Sequence, residues 1–458
     1  VINMSLSVVI LAAGQGTRMR SALPKVLHPL GGLPLLQHVI HAAQQLEPSN
    51  IHVVYGHGGE QVREALADEA VNWVLQEQQL GTGHAVDQVM AWVSDGDTLL
   101  VLYGDVPLIQ ADTLRHLLVH AENGGVSVLT ATLNDPQGYG RITRDADGNL
   151  AGIVEQKDAS EAQLKLREIN TGFLAAPASR LRGWLQRLDN SNTQREYYLT
   201  DVIAMAVADG VAVASVSTAD EYEILGVNDR VQLSTLERIY QRSEAERLMR
   251  SGVTLADPRR FDVRGDISAG QDCFIDTNVI LDGKVNLGNN VSIGPNCLIQ
   301  DCIIGDNVEI LSHCVIQDAE IGAASRIGPF ARIRPETRLA DHVHVGNFVE
   351  IKKSSVAAGS KINHLSYIGD TRMGAKVNVG AGTITCNYDG ANKHLTEIGD
   401  DVFIGSDTQL VAPVKVGDGA TIGAGSTITR EVPSGELVLS RCPQQSRPGW
   451  KRPLKKSK

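Results

Sequence analysis

A chain of 458 residues is too long for one ordinary hydrophobic core, so two or three domains are expected. With 42 basic and 53 acidic side chains the net charge is -11, which argues against a general nucleic-acid or membrane-surface role and leaves any anionic substrate in need of a local basic pocket. No stretch approaches the roughly 20 apolar residues of a membrane span, no charged-then-apolar signal peptide opens the chain, and six cysteines without a CxxC pair suit a reducing cytoplasm.

Val1, Ile2 and Asn3, ahead of Met4, read as an addition to the start. Residues 7–11 (SVVIL) predict a buried strand, followed over 12–25 (AAGQGTRMRSALPK) by a glycine-bearing turn rich in cations. A strand that runs into a glycine turn aims backbone N–H groups at phosphate oxygens. Arg18 and Lys25 would neutralise charge on a transferring phosphoryl group. The stretch has neither the Walker nor the GxGxxG spacing, and taken alone it reads as an ordinary βα loop with solvated basic residues. Strand-like runs at 51–55, 73–75, 98–103 and 125–133 alternate with helical stretches, the order of an α/β domain with a mostly parallel sheet. Ligands in such sheets sit beyond the carboxyl ends of strands. Gly104 and Asp105 follow the third of these runs, which places Asp105 to hold a hard cation or, equally, to satisfy the amides of a turn. Residues 76–85 (QEQQLGTGHA) form a second glycine loop suited to a base edge.

Residues 231–250 predict one exposed helix, with apolar positions at Leu233, Leu236 and Tyr240. Beyond it the pattern changes. Val315, Ile321, Ile327, Ile333, Leu339, Val345 and Ile351 recur at every sixth position, and so do Ile398, Ile404, Leu410, Val416, Ile422 and Ile428. That period is neither helical nor simple strand alternation; it marks a parallel β-helix whose hexapeptides each form one flat side of a coil. Gly322, Gly328, Gly346, Gly399, Gly405, Gly417 and Gly423, beside the inward residues, are expected to permit tight corners. Coils begin weakly near Asp266, the frame slips around Val356, Ile362, Ile368, Met373 and Val379, and it breaks between Val379 and Ile398. An insertion in a solenoid leaves the coil as a loop, and loops carry sites. Around this break stand His364, Tyr367, Asn378, Asn387, Tyr388 and Lys393, with Arg334 and Lys352 on neighbouring coils. Cys386 beside them shows no mark of an activated thiol and reads as structural. The last residues, 450–458 (WKRPLKKSK), form a basic tail, read as solvated or as a partner for the phosphates of a ligand.

LAAGQGTRM with Pro24 and Lys25, QLGTGHA, YGDVPL, GYGRI, Glu155, EINTG and GVND, in that order, resemble the sugar-1-phosphate nucleotidyltransferases. Within them the chain is most similar to the bacterial bifunctional N-acetylglucosamine-1-phosphate uridyltransferase and glucosamine-1-phosphate acetyltransferase family, from Met4 onward. The resemblance implies an uridyltransferase domain over 5–230, a helical linker over 231–251, and a left-handed β-helix acetyltransferase domain with its basic tail over 252–458. It implies that Leu11, Ala12, Ala13, Gly14, Gln76, Gly81, Thr82, Tyr103 and Gly104 face the uridine nucleotide, that Lys25 sits on phosphate, that Gly140, Glu155 and Asn170 hold the sugar, and that Asp105 and Asn228 bind Mg²⁺. Asn228 equally suits a helix cap. In the second half His364 matches the general base, Arg334, Lys352, Tyr367, Asn378 and Lys393 match sugar-phosphate contacts, and Ala381, Asn387, Tyr388, Ser406, Ala424 and Arg441 match the coenzyme A side. UTP, glucosamine-1-phosphate, N-acetylglucosamine-1-phosphate and acetyl-CoA are the implied partners, a homotrimer the implied assembly, and bacterial envelope precursors the implied destination.

Two positions depart from the family pattern. Gln15 stands where relatives are often basic, with Arg18 and Lys25 remaining; Arg195 stands where glycine is common, which bears on the loop near Glu196. The chemistry fits: a sugar phosphate attacking UTP is an anion approaching a polyanion, so neutralisation and positioning are most of the catalysis. Histidine suits the acetyl site because its ordinary pKa of about 6.5 leaves it neutral and basic at working pH. Two other readings stand beside this one, a nucleotidyltransferase whose β-helix is only an assembly or regulatory scaffold, and a non-catalytic binding module.

Overall fold

The apolar run SVVIL lies at the centre of β1 (Leu6–Ala12), whose side chains from Ser7 onward are buried on both faces. The computed structural model describes residues 5–14, 16–56, 58–218 and 220–455; the readings made for Val1–Met4, for Gln15 and for the end of the basic tail lie outside these residues. The chain forms two compact units that divide between Tyr240 and Gln241.

In the first unit β1 pairs in parallel with β2 (Asn50–Gly56) and, on its other side, with the strand that follows β3 (Asn72–Gln76) and α1 (Thr82–Asp87), namely β4 (Thr98–Tyr103). The sheet continues through β5 (Val126–Thr132), a hairpin of β6 (Gly140–Arg144) and β7 (Leu150–Val154), β8 (Glu168–Pro177) and β9 (Val213–Ser217), in the order β9-β5-β8-β4-β1-β2-β3. Only β8 runs antiparallel along this path. The sheet grows outward from β1 in both directions, so a crevice opens beyond the carboxyl ends of β1 and β4, where Leu11 pairs with Tyr103. All five strands expected from 7–11, 51–55, 73–75, 98–103 and 125–133 are present, with at most one residue of adjustment at each end.

His52, on β2, is 3% exposed, and neither ring nitrogen has a hydrogen-bond partner. Burial holds its pKa below the ordinary 6.5, with Asp97 opposing. The folded state therefore disfavours a proton that the unfolded chain takes up near its ordinary pKa, so the stability of the neutral form is complete above about pH 6.5 and falls as pH drops below it. Thermal unfolding is expected to show an acid-side loss approaching about 1.4 kcal/mol per pH unit from this residue, and His52→Leu should flatten the slope between pH 7.5 and 5.5. An unchanged slope in the variant would contradict this.

The helix expected over 231–250 is α2 (Arg230–Arg250), and it is less exposed than its charges suggested. Leu236 packs with Met19, Leu30, Leu35 and Val227 in the first unit. Its second half belongs to the other unit, where Ala245 and Leu248 join the core and buried Gln241 donates to Val263 O and accepts from Val263 N, each at 2.6 Å. A solenoid's first coil would otherwise present open strand edges, and this helix covers one.

The second unit is a stack of parallel coils with three flat faces. Ile299, Ile316, Ile333, Ile351 and Ile368 are successive register partners on one face, and Ile327, Val345, Ile362 and Val379 on another. Equivalent residues are thus 17 or 18 apart, three hexapeptides per turn. The first coil strand is Val253–Leu255, ahead of the expected start near Asp266. The inward residue is Ile316, fully buried, and not Val315, which is half-buried; the frame makes a five-residue step from Ile316 to Ile321. The role expected of the glycines is also corrected. Of those named only Gly328 has positive φ, while the corners are turned by non-glycine residues such as Asn296, Phe330, His342 and Phe348 in the left-handed region. Glycine is needed instead for close approach: a Cβ on Gly322 would lie 2.6 Å from the backbone nitrogen of Asp341 on the next coil. All six cysteines are free thiols.

Candidate active sites

The crevice at the ends of β1 and β4 opens into a cavity of about 490 Å³. Leu11, Ala12, Ala13, Gly14, Lys25, Gln76, Gly81, Thr82, Tyr103 and Asp105 line it together, as do Val26, Gln79, Ala85 and Glu196, which the sequence did not single out. Gly104 packs behind, where a Cβ would lie 3.3 Å from Ala12 Cβ and 3.0 Å from Leu36. Lys25 Nζ pairs with Asp105 Oδ2 and lies 3.4 Å from Asn228 Oδ1, which also accepts from Arg18 at 2.8 Å. Exposed Arg18 is thereby tied to the site without lining it. Asp105 does not cap its turn through the carboxylate; its backbone carbonyl accepts from Val227 N at 2.9 Å. Asn228 does not cap α2 either, because Asp229 Oδ1 takes the N–H groups of Val231 and Gln232, both at 2.9 Å. Two side-chain oxygens thus converge on one ammonium. A hard cation with few protein ligands and several substrate or water oxygens suits such a pair, and no group of three or more His, Cys, Asp or Glu that could hold a metal exists among the described residues.

Tyr103 also faces a smaller hollow lined by Asn170, Gly172, Leu199 and Thr200. Gly172, at φ +93°, leaves room for its ring, which a Cβ there would strike. Burial, then the Glu155 and Asp105 carboxylates, push the Tyr103 phenol well above its ordinary range. Burial likewise raises the Glu155 carboxyl, with Asp201, Asp158 and Glu196 adding and a hydrogen bond from Thr200 at 3.3 Å opposing. Gly140 adjoins it, a Cβ there lying 3.5 Å from Glu155 Oε1. Glycine at 140 therefore leaves the carboxylate open to a polar ligand.

Arg195 adopts φ +57°, the left-handed conformation that glycine takes readily, which gives a reason for glycine at this place in relatives. Asn192 closes the turn, donating to Glu196 O at 2.6 Å and accepting from Glu196 N at 3.2 Å. Arg195→Gly removes strain of about 1 kcal/mol but frees the unfolded chain by a similar amount. Its melting temperature is expected within a degree or two of the parent, whereas β-branched Arg195→Val should melt several degrees lower. Equal melting of the two variants would sink this account.

In the β-helix, Asn347 and His364 are register partners on successive coils, two residues beyond Val345 and Ile362. Ala381, Ser406 and Ala424 occupy the same place on the following coils, two residues beyond Val379, Ile404 and Ile422, so these three and His364 form one column along a corner. Arg441 donates to Ala424 O at 2.6 Å. His364 is exposed, with Nδ1 3.1 Å from Asn347 Oδ1. An amide oxygen only accepts, so Nδ1 carries the proton and Nε2 is the unprotonated nitrogen. On the adjoining face Arg334 and Lys352 stack in consecutive coils, next to Ile333 and Ile351. Arg334 pairs with Glu350 at 2.6 Å. Lys393 beside it, together with Arg334, lowers the pKa of Lys352, as like charges do when gathered in one place.

The inserted loop is explicit in the register. Met373 pairs with Ile398 and Val379 with Ile404, a spacing of 25 residues where neighbouring coils use 17 or 18. Its chain leaves after Cys386, forms a Tyr388–Lys393 bridge and returns before Thr396. Asp389 staples it, accepting from Ala391 N at 2.8 Å, Asn392 N at 2.7 Å and His394 Nε2 at 2.7 Å. Buried Asn387 ties the base of the loop to the coil through Asp370 at 2.5 Å and Tyr367 OH at 3.5 Å. Burial raises the Cys386 thiol, which agrees with a structural role. Asn378 lies apart, on another face between Lys361 and Phe403. Asn347 was missed, although the coil repeat marks it as the residue one turn before His364.

A doubly wound sheet with cations gathered at its switch point, followed by hexapeptide coils, defines a nucleotidyltransferase carrying a hexapeptide transferase half. Residues 8–254 match the MobA-like NTP transferase domain, residues 263–364 the GMPPB C-terminal domain, and residues 395–430 the bacterial transferase hexapeptide of six repeats, consistent with a left-handed β-helix. The chain belongs to the family of the bifunctional protein GlmU. It is 58% identical over 452 residues to that protein of Alkalilimnicola ehrlichii, covering 99% of this chain and 97% of the relative. It is also 58% identical over 452 residues to that of Pseudomonas entomophila, covering 99% of each. A structure described as a putative glucose-1-phosphate thymidylyltransferase from Bacillus anthracis in complex with a sucrose is 18% identical, at a TM-score of 0.42 over 51% of this chain and 95% of that one, a likeness too slight to carry weight. No described helix is long and apolar enough to cross a membrane.

Proposed function

We propose that the chain makes UDP-N-acetylglucosamine in two steps, as a glucosamine-1-phosphate N-acetyltransferase and then an N-acetylglucosamine-1-phosphate uridyltransferase, supplying bacterial envelope precursors in the cytoplasm. The observations that carry the two-site reading are His364, held by Asn347 on one corner, and the cations gathered at Arg334, Lys352 and Lys393 on the adjoining face. A scaffold has no use for such a cluster or for a stapled loop at its side.

In the acetyl step the cations bind the sugar phosphate and Tyr367 and Asn378 orient it. His364 Nε2 takes a proton as the amine attacks the thioester carbonyl of acetyl-CoA; the C–N bond forms, the C–S bond breaks, and the thiolate of coenzyme A is then protonated. Ala381, Asn387, Tyr388, Ser406, Ala424 and Arg441 line the coenzyme side. Asn378 lies on a different face from Tyr367, which supports a site shared between protomers of a homotrimer. In the uridyl step Lys25 and Arg18 neutralise phosphate oxygens, Glu155 and Asn170 hold the sugar, and Gln76 and Gly81 face the base. Asp105 and Asn228 would hold Mg²⁺, which supplies charge neutralisation when bound.

The test is thiol release from acetyl-CoA with and without glucosamine-1-phosphate, run beside pyrophosphate release from UTP with and without N-acetylglucosamine-1-phosphate. Each product is expected only with its sugar phosphate. Pyrophosphate without thiol would leave the β-helix a scaffold.

A further inference from the structure

Gln76 ends β3 and is 2% exposed, yet it lines the cavity of the first unit. Its Nε2 donates to Gly81 O at 3.2 Å and lies 2.9 Å from His84 Nδ1. A backbone carbonyl can only accept, so the group facing Gly81 O is the NH₂, whichever tautomer His84 adopts. That carbonyl is itself held, because it also accepts from Ala85 N at 3.1 Å in the first turn of α1. The second hydrogen of the NH₂ then points at His84 Nδ1, which must be the unprotonated nitrogen, with the ring proton on Nε2. Gln88 Nε2 donates to the His84 carbonyl at 3.3 Å and only borders the ring, 3.3 Å from His84 Nε2, a longer contact than the 2.9 Å one at Nδ1 that sets the tautomer. Both amide hydrogens of Gln76 are thereby engaged within the protein, and the function it keeps for the cavity is the carbonyl oxygen Oε1.

We infer that His84 is a positioning residue that, with Gly81 O, turns Gln76 so that an acceptor alone reads the nucleotide base, selecting a base with an N–H at the centre of its pairing edge and rejecting cytosine. Uracil offers such an N–H at N3, whereas cytosine offers a lone pair there and would meet Oε1 lone pair to lone pair. A site that leaves its buried polar group unpaired with the wrong ligand discriminates more strongly than one that only fits shape. This rests on the reading of the cavity as the nucleotide site. Without Nδ1 the amide loses one of its two anchors and can turn its NH₂ to the base, which suits the cytosine edge.

The experiment is calorimetric binding of UTP and of CTP to the full-length protein and to its His84→Leu and His84→Gln variants, with acetyl transfer as the control for folding. Wild type is expected to prefer UTP, His84→Leu to narrow that preference about tenfold, the scale of one net hydrogen bond, and His84→Gln, which keeps an acceptor, to retain most of it. A preference that survives unchanged in His84→Leu overturns the role of His84 alone. Wild type that binds neither nucleotide overturns the nucleotide reading of the cavity, and this inference with it.

Discussion

His364→Ala is expected to lower acetyl transfer by about 10²-fold or more while leaving uridyl transfer at the parent rate. The side chain is exposed, and its described hydrogen-bond partner is Asn347 at 3.1 Å, so truncation should change stability by no more than about 0.5 kcal/mol. The loss belongs to chemistry: an amine keeps a positive charge as it attacks unless a base removes a proton, and Nε2 is the base proposed on this corner. Asn347→Ala should lose less, about tenfold, because it frees the tautomer and orientation of the ring without removing it. Thiol release from acetyl-CoA measures both losses. Equal rates in His364→Ala and the parent would sink the assignment.

Asp105→Ala is expected to lower uridyl transfer by about 10²-fold to 10³-fold and to spare acetylation, the range found when one preorganised electrostatic partner is removed from a reaction site. Asp105 sits in the switch-point crevice against Lys25, whose side chain is 12% exposed. Removal therefore has two effects: one oxygen of the proposed metal pair is lost, and Lys25 loses its charge partner and is free to pair elsewhere. Asp105→Asn keeps shape and one neutral oxygen, so it should retain more activity than alanine at saturating Mg²⁺. Chelating the metal should imitate the alanine variant in uridyl transfer and leave thiol release unchanged. Loss of both activities in Asp105→Ala would mean that the sites are not separate.

The strands of the first unit were legible because most are short apolar runs buried on both faces, with the edge strand β3 the exception, and the β-helix because its inward aliphatics repeat. Burial is less legible where a charged helix is covered on one side only. In α2 Leu236, Gln241, Ala245 and Leu248 are spread among exposed charges, so the apolar stripe is thin and the helix reads as solvated. The choice between Val315 and Ile316 was hidden for a related reason: two adjacent aliphatics fit the repeat equally, and only a five-residue step shows which points inward. Corner chemistry was misassigned because glycine beside an inward residue has two uses, backbone freedom and close approach, and a sequence does not separate them. The cavity residues came from ordered motifs at strand ends. Gln79 lies within the glycine loop of 76–85 but carried no signal of its own, while Glu196 and Asn347 come from elsewhere in the chain and meet their sites only through loop return or coil stacking.

The register of 17 or 18 residues makes the β-helix a one-dimensional object. A coil meets only the coil before it and the coil after it, so growth adds each turn to a template already laid down and no distant closure has to be awaited. Injury obeys the same geometry. A charge placed at Ile362 would part the stack there and uncouple the turns on either side, each half keeping its own local order. A charge placed at Leu100, on the central β4 of the layered sheet, has no such firebreak: that strand holds β1 on one side and β8 on the other, so the whole first unit would go together.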